Sequence, residues 1–315
     1  MYNTKANYNF VRNVLLKEPF GSRKINKIKL SDAKLFLIHL QDSGKGYSSI
    51  HTIRGVLRPA FQMAVDDEWL LRNPFEFPLG NVIVNDTVAR QAITPENQVK
   101  FMKFIEEDDH YHIYYDPIFI LLNTGLRISE FCGLTVKDID FENNLIHVNH
   151  QLQRTRQMEY VIEPTKTNAG TRDLPMTPEV REVMMRIIEN RKHPKIEPII
   201  DGHTGFLFYD KNNKPKVAQH WEKYIQLARN KYNASHILQM QPITPHILRH
   251  TYCTNMARAG MNPKTLQYLM GHSDISITLN VYTHLGYEDA ALELERLQEE
   301  VLYGSQKNKR KVFAG

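Results

Sequence analysis

The stretch Thr244-Pro245-His246-Ile247-Leu248-Arg249-His250-Thr251 decides how the larger half of this chain is read. Thr244 and Pro245 suit the N-cap and first position of a helix. His246 and Arg249, at i and i+3, then share a face. They sit at the positive end of the helix, where a bound anion is favoured. His250 lies about 100° round from Arg249 and reads as structural. Downstream, Leu269-Met270-Gly271-His272-Ser273 marks a helix junction. Gly271 permits a sharp exit, Ser273 is the expected cap of the next helix, and His272 is presented between them. Tyr282, in Val281-Tyr282-Thr283-His284, follows ten residues later; alone it is one of 15 tyrosines, most of which serve packing.

Upstream, Thr124-Gly125-Leu126-Arg127-Ile128-Ser129-Glu130 places Arg127 and Glu130 on one face of a helix start. A carboxylate there can hold a guanidinium in a fixed pose and leave donors for a phosphate. An ordinary surface ion pair would look the same in sequence. Strand-like segments follow at 145–152, 159–163 and 171–174. Lys166-Thr167-Asn168-Ala169-Gly170, between the last two, reads as a turn whose residues suit positive φ. Helices are expected at 95–107 (capped by Thr94), 114–123, 127–134, 179–191 and 218–231, with a short strand at 206–209. From 244 to 301 the chain reads as helical with tight breaks.

The first 80 residues also read as helices: 9–16, 32–41 with Ser31 as cap, and 48–68. In the last, Ile53, Val56, Leu57, Phe61 and Ala64 recur at helical spacing. Leu79-Gly80-Asn81, Asn85-Asp86 and Thr94-Pro95 signal a break. The expected organisation is a helical domain over 1–80, a linker over 81–94, a second domain over 95–303 and a disordered basic tail over 304–315. The fold class is mainly α with a small antiparallel β-sheet (α+β).

Bulk composition agrees. The 315 residues are 42% hydrophobic and 24% charged, enough for a sizeable core. A net charge of +5 and a pI near 9.0 fit a polyanion partner. Cys132 and Cys253 form no CxxC pair, so neither a zinc site nor a disulfide framework is indicated, and a reducing cytoplasm is expected.

Arg127 in its Thr-Gly-Leu-Arg-Ile-Ser-Glu string, His246-x-x-Arg249, Leu-Met-Gly-His272 and Tyr282 match the tyrosine recombinase (phage-integrase) family in order and spacing. The sequence resembles that family over nearly its whole length, closest to integrases of conjugative transposons and temperate phages of Gram-positive bacteria. The resemblance implies a core-type DNA-binding domain followed by a catalytic domain, together forming a C-shaped clamp on duplex DNA. It implies attack by Tyr282 on a scissile phosphate, giving a 3′-phosphotyrosine and a free 5′-hydroxyl, with neither ATP nor a metal or other cofactor. Arg127 and Arg249 would clamp the non-bridging oxygens and His272 would donate to them. His246 would take the phenol proton, Lys166 in a β-hairpin turn would protonate the leaving 5′-oxygen, and Glu130 would orient the cations.

Further expectations concern partners. Ser48, His51, Thr52 and Arg54 are candidates for major-groove contact. A helix over 287–302, bearing Ala290, Ala291, Leu292, Leu294, Leu297 and Val301, would dock on a neighbouring subunit of a homotetramer. DNA sites of a mobile element and its target, a small excisionase or host DNA-bending protein, and a bacterial cytoplasmic location are implied; a membrane is not. Many integrases of this sub-group carry an extra arm-binding domain before the core-binding helices. This chain starts almost directly on those helices, so it is either truncated, the favoured expectation, or of a simpler branch. A type IB topoisomerase shares the chemistry, and a DNA-binding regulator that has lost catalysis is the other alternative. The intact set Arg127, Lys166, His246, Arg249, His272 and Tyr282 points to an active enzyme.

Overall fold

The computed structural model describes residues 2–87, 91–282 and, beyond them, 291, 294, 295 and 298. The chain divides into two compact units, Met1–Ala89 and Arg90–Gly315.

The first unit is built from α1 (Tyr2–Leu15), α2 (Leu30–Asp42) and α3 (Tyr47–Asp66). Of the apolar stripe expected of α3, Ile53, Leu57, Phe61 and Ala64 are buried and Val56 is partly buried; Ile50, also buried, joins Ile53, Leu57 and Phe61 in a core that includes Phe36, Leu37 and Phe75. Phe20 stacks on Phe36 at 4.3 Å, and Phe75 packs on Phe61 at 5.1 Å. Ser31 does not cap α2. The helix begins two residues earlier, at Leu30, and the Asp32 carboxylate takes the Lys29 N–H at 2.8 Å, the charged acceptor prevailing over the hydroxyl.

Residues 81–86, expected to open a linker, are held on this unit. The Gln41 side-chain amide donates to Val84 O at 2.8 Å and accepts from Val84 N at 3.0 Å. Asp86 accepts the Tyr47 N–H at 2.9 Å, near the start of α3, and Ile83 is buried. The break signals were real, but one glutamine far upstream supplies the hydrogen bonds that a solvated linker would take from water.

The second unit contains α4 (Pro95–Glu107), α5 (Tyr115–Thr124), α6 (Ile128–Gly133), α7 (Pro178–Glu189), α8 (Ala218–Ser235), α9 (Pro245–Arg258), α10 (Pro263–Met270) and α11 (Ile275–Tyr282). Between α6 and α7 lie β1 (Ile139–Asp140), β2 (Leu145–Val148), β3 (His150–Arg154), β4 (Tyr160–Pro164) and β5 (Arg172–Pro175). The core is aromatic near α6 and α8, where Trp221 meets Phe131 edge-on at 5.4 Å and Phe208 at 5.0 Å.

The strands form two antiparallel sheets, β1-β2-β5 and β3-β4. The segment read as one strand over 145–152 is therefore two. It changes sheets at Asn149, because buried His150 bonds to Gly133 O at 2.8 Å and buried Gln151 to Pro164 O at 3.1 Å. Lys166 consequently does not sit in a hairpin turn: β4 pairs with β3 and β5 with β2, and residues 165–171 cross from one sheet to the other. None of residues 166–170 has positive φ; Asn168–Gly170 form a 3-10 turn instead. At 206–209 only isolated bridges form, Thr135 to Phe206 and Tyr209 to Pro215. The helix expected over 287–302 and the tail over 304–315 lie outside the described residues, apart from the isolated positions named above.

Candidate active site

The end of α10 organises the site. A helix leaves its last carbonyls without intrahelical partners. Here His272 N–H bonds to Gln267 O at 3.1 Å and Gly271 N–H to Tyr268 O at 2.9 Å, a Schellman closure. Gly271 makes it possible at φ +61; a Cβ there would come within 2.9 Å of the Arg172 guanidinium and 3.0 Å of Ala169 O. Three carbonyls remain, and three arginines take them. Arg172 Nε donates to Leu269 O at 2.7 Å, Arg249 Nη2 to Met270 O, and Arg127 Nη2 to Gly271 O at 2.6 Å. The negative end of the helix dipole favours cations at this point.

One carboxylate serves this cluster. Glu130, 2% exposed, accepts from Arg127 Nη1 at 2.6 Å and from the Arg127 N–H at 2.9 Å. It also accepts from Arg172 Nη1 at 3.3 Å and Nη2 at 3.1 Å. Burial alone would raise its carboxyl pKa, but Arg172 and then Arg127 outweigh that and hold it below the usual range. Arg127 itself is the N-cap of α6 in extended backbone, one residue before the helix on which it was expected.

Arg249 is buried in α9 and also donates to Gly125 O. Burial, then the Arg127 charge, pushes its pKa down to about 9, which leaves it a cation at neutral pH. Among the described residues it has no carboxylate partner within ion-pair distance. His272 is half-buried beside these charges, with Nδ1 at 3.0 Å from Thr278 Oγ1. Burial first, then Arg249, Arg127 and Arg172, depress its pKa to about 4, so at neutral pH the imidazole is uncharged. Ser273 does not cap α11; Asp274 accepts the Ser276 N–H at 2.9 Å.

His246 is exposed on the first turn of α9, which Thr244 caps as expected by accepting the Ile247 N–H at 3.2 Å. Lys166 is exposed on the crossing between the sheets. That crossing is pinned at both ends: Gln151 holds Pro164 O, and Arg172 Nη1 holds Gly170 O at 2.8 Å. The Tyr282 hydroxyl donates to Met261 O, and its side chain packs against the small apolar cluster of Cys253, Ala257, Leu266, Met270 and Val281. In the first unit, Ser48 and His51 are exposed on α3. The Arg54 guanidinium is already engaged: it donates to Phe77 O and lies 5.4 Å from the Phe77 ring. The Thr52 hydroxyl donates to Ser48 O at 3.0 Å.

Arg172 was not anticipated. Its side chain is fully buried and nearly all its donors are committed, so it fixes the other cationic groups and does not face a substrate. The available signal was an arginine at an inward position of a strand, two residues before buried Leu174. A cavity of about 580 Å3 lined by Arg154, Lys192, Lys216 and His220, among others, holds none of the candidate residues. No group of three or more metal-ligating side chains is found among the described residues.

Arg172→Ala would leave Glu130 buried with one guanidinium and strip Leu269 O and Gly170 O of a donor. Denaturant unfolding should show a loss of about 3–5 kcal/mol, partly restored in Arg172→Lys. His272 carries a pH signature. An unfolded histidine protonates near ~6.5, whereas the folded one resists until about 4. Its contribution to stability is therefore complete above ~6.5 and lost as pH falls toward 4. Unfolding midpoints between pH 7 and 4 should fall more steeply for the parent protein than for His272→Asn.

Residues 91–289 match the family model described as "Phage integrase family". The chain is 43% identical over 299 residues to the transposase from transposon Tn916 of Enterococcus faecalis, covering 95% of this chain and 73% of that protein. It is 30% identical over 300 residues to the integrase of Staphylococcus phage L54a, covering 89% and 81%. Among solved structures, the Tn1549 transposon integrase in complex with transposon right end DNA superposes with a TM-score of 0.88. That match is at 43% identity and covers 95% of this chain and 94% of the other. Lambda integrase on a core site, at 16% identity and TM-score 0.57, shares the fold. The turn at Gly271, with its arginines and the histidine beside it, thus belongs to a member of the phage integrase family of tyrosine recombinases.

Proposed function

We propose that this chain is the site-specific recombinase of a mobile element, cutting and rejoining duplex DNA through a 3′-phosphotyrosine at Tyr282. The carrying observation is the charge imbalance at the α10 turn: three guanidinia gather there, and the single carboxylate of Glu130 pairs with two of them, Arg127 and Arg172, leaving Arg249 without one. A buried excess of positive charge calls for an anion. A diester phosphate gains charge on its non-bridging oxygens in the transition state, where preorganised cations act most strongly. Arg127, with a third of its side chain exposed, and Arg249 retain N–H groups beyond those given to carbonyls. His272, being neutral, donates one N–H and adds no charge.

The steps balance without an external energy source. The Tyr282 oxygen forms a bond to phosphorus as the bond to the 5′-oxygen breaks. The phenol, which ordinarily titrates near ~10, gives its proton to a base, assigned here to His246. Lys166 gives a proton to the departing 5′-oxygen. The 5′-hydroxyl of a partner strand then attacks the phosphotyrosine and restores Tyr282. Attack requires the Tyr282 hydroxyl to exchange the Met261 carbonyl for the phosphate.

The DNA partner is argued from relatives of high identity: the Tn1549 integrase is solved with transposon right end DNA and with circular intermediate DNA. The sites recognised here are accordingly the ends of a mobile element and its target, gripped mainly through phosphates and so salt-sensitive. No helix among the described residues is long and apolar enough to cross a membrane, and a DNA substrate assigns the work to the bacterial cytoplasm. Assembly as a homotetramer is supported by the apolar pattern of residues 287–302, of which Leu294 is 58% exposed.

A nicked suicide duplex tests the core of this reading. Covalent protein–DNA adduct should accumulate with the parent protein and vanish in Tyr282→Phe; adduct surviving that change would overturn it. Arg249→Ala should lower cleavage by at least 100-fold, the scale of losing a charge-stabilising donor, while sparing most duplex binding. Deleting residues 286–315 should disable tetramer formation and alter cleavage control, read by sedimentation and adduct yield; unchanged behaviour would sink the assembly proposal.

A further inference from the structure

We infer that the Thr278 hydroxyl holds His272 in the tautomer that carries its proton on Nε2, so that the imidazole offers the scissile phosphate a donor. The inference rests on the proposed reading of the Gly271 turn as a phosphate site, and it adds a residue that no sequence motif had indicated.

Three helical threonines of this chain spend their hydroxyl on the preceding turn. Thr52 donates to Ser48 O at 3.0 Å, Thr124 to Ile120 O at 2.7 Å and Thr251 to Ile247 O at 2.8 Å. Thr278 differs. It lies in the first turn of α11, has no solvent exposure, and its Oγ1 stands 3.0 Å from His272 Nδ1. Two proton arrangements fit that distance. If Nδ1 carried the proton, the hydroxyl would accept it, and its own hydrogen would have no acceptor among the described residues. A buried donor left in that state is costly. If Nδ1 is bare, the hydroxyl donates to it and is satisfied, and the ring proton is on Nε2.

The choice matters because the ring is neutral. A charged imidazole would donate from both nitrogens and need no orienting partner. A neutral one presents either a donor or a lone pair to whatever faces Nε2. Against the anionic oxygens of a phosphate, a lone pair repels and an N–H binds. Two further contacts fix the backbone that carries the ring. Gln267 Nε2 donates to His272 O at 3.1 Å, and His272 N–H closes α10 at Gln267 O. Thr278 is thus a positioning residue, acting through His272 and touching no substrate.

Valine and serine separate the hydroxyl from the methyl. Thr278→Val keeps the shape and removes the hydrogen bond. Its rate of adduct formation on the nicked suicide duplex should fall about 10–100-fold, the range for losing an orienting partner, with duplex affinity unchanged. Thr278→Ser keeps the hydroxyl and should return to within a few-fold of the parent. The reverse pattern, serine impaired and valine normal, would assign Thr278 to packing and overturn the inference. Nitrogen-15 spectra of the parent protein, with His272 assigned by difference from His272→Asn, should show the Nε2–H form; an Nδ1–H form would overturn it even if the valine variant failed to fold. His272→Ala distinguishes the two levels. If it cleaves normally, the phosphate role of His272 fails. If it is crippled while Thr278→Val is normal, only the present inference fails.

Discussion

The second unit depends on how one short helix ends. The closure of α10 at Gly271 leaves three carbonyls pointing outward together, and each receives a guanidinium from a different element: β5, α9 and the start of α6. Three like charges so close would repel strongly in a protein interior. They are tolerated because the acceptors are the negative end of a helix, and because Glu130 sits between two of them. The same arrangement keeps Glu130 ionised although buried and, after burial itself, adds to what keeps His272 neutral. One backbone turn helps to set the protonation of its neighbours.

The division of labour among the arginines follows from burial. Arg172 is sealed and saturated, Arg249 is buried with donors to spare, and Arg127 is open to solvent over a third of its side chain. Arg172 is also the link to the crossing that bears Lys166, through Gly170 O. The lysine can therefore be mobile at its tip while the backbone beneath it is held by the same residue that braces Glu130. The Thr165 and Thr171 hydroxyls, 2.9 Å apart, close the crossing between its anchored ends.

Much of this was legible in the residues. Helix starts marked by Thr94 and Thr244 were found because a short polar side chain before a proline has few other uses. Arg127, Glu130, Arg249 and His272 do converge; each motif alone was weak, and it was their order and spacing along the chain, matching the phage-integrase family, that selected them. What escaped notice depended on distance along the chain. Gln41 captures Val84 across 43 residues, so a stretch with every sign of a linker is packed. The strand break at Asn149 depends on which sheet Gln151 joins, which no periodicity encodes. Arg172 went unnoticed because its partners come from α6 and α10, far along the chain from β5. The bond from Arg54 to Phe77 O, across 23 residues, likewise had no local signal.

The acceptors at the α10 terminus are backbone atoms, and this has a consequence for how the protein can change. Any side chain at positions 269 and 270 offers the same carbonyl, so those positions answer only to the packing of Leu269 and Met270 against their surroundings. Position 271 has no such latitude, because a single methyl would strike Arg172 and the Ala169 carbonyl. The most heavily used surface in the site is thus written in the one part of the chain that substitution cannot erase, and its vulnerability is concentrated in a residue with no side chain at all.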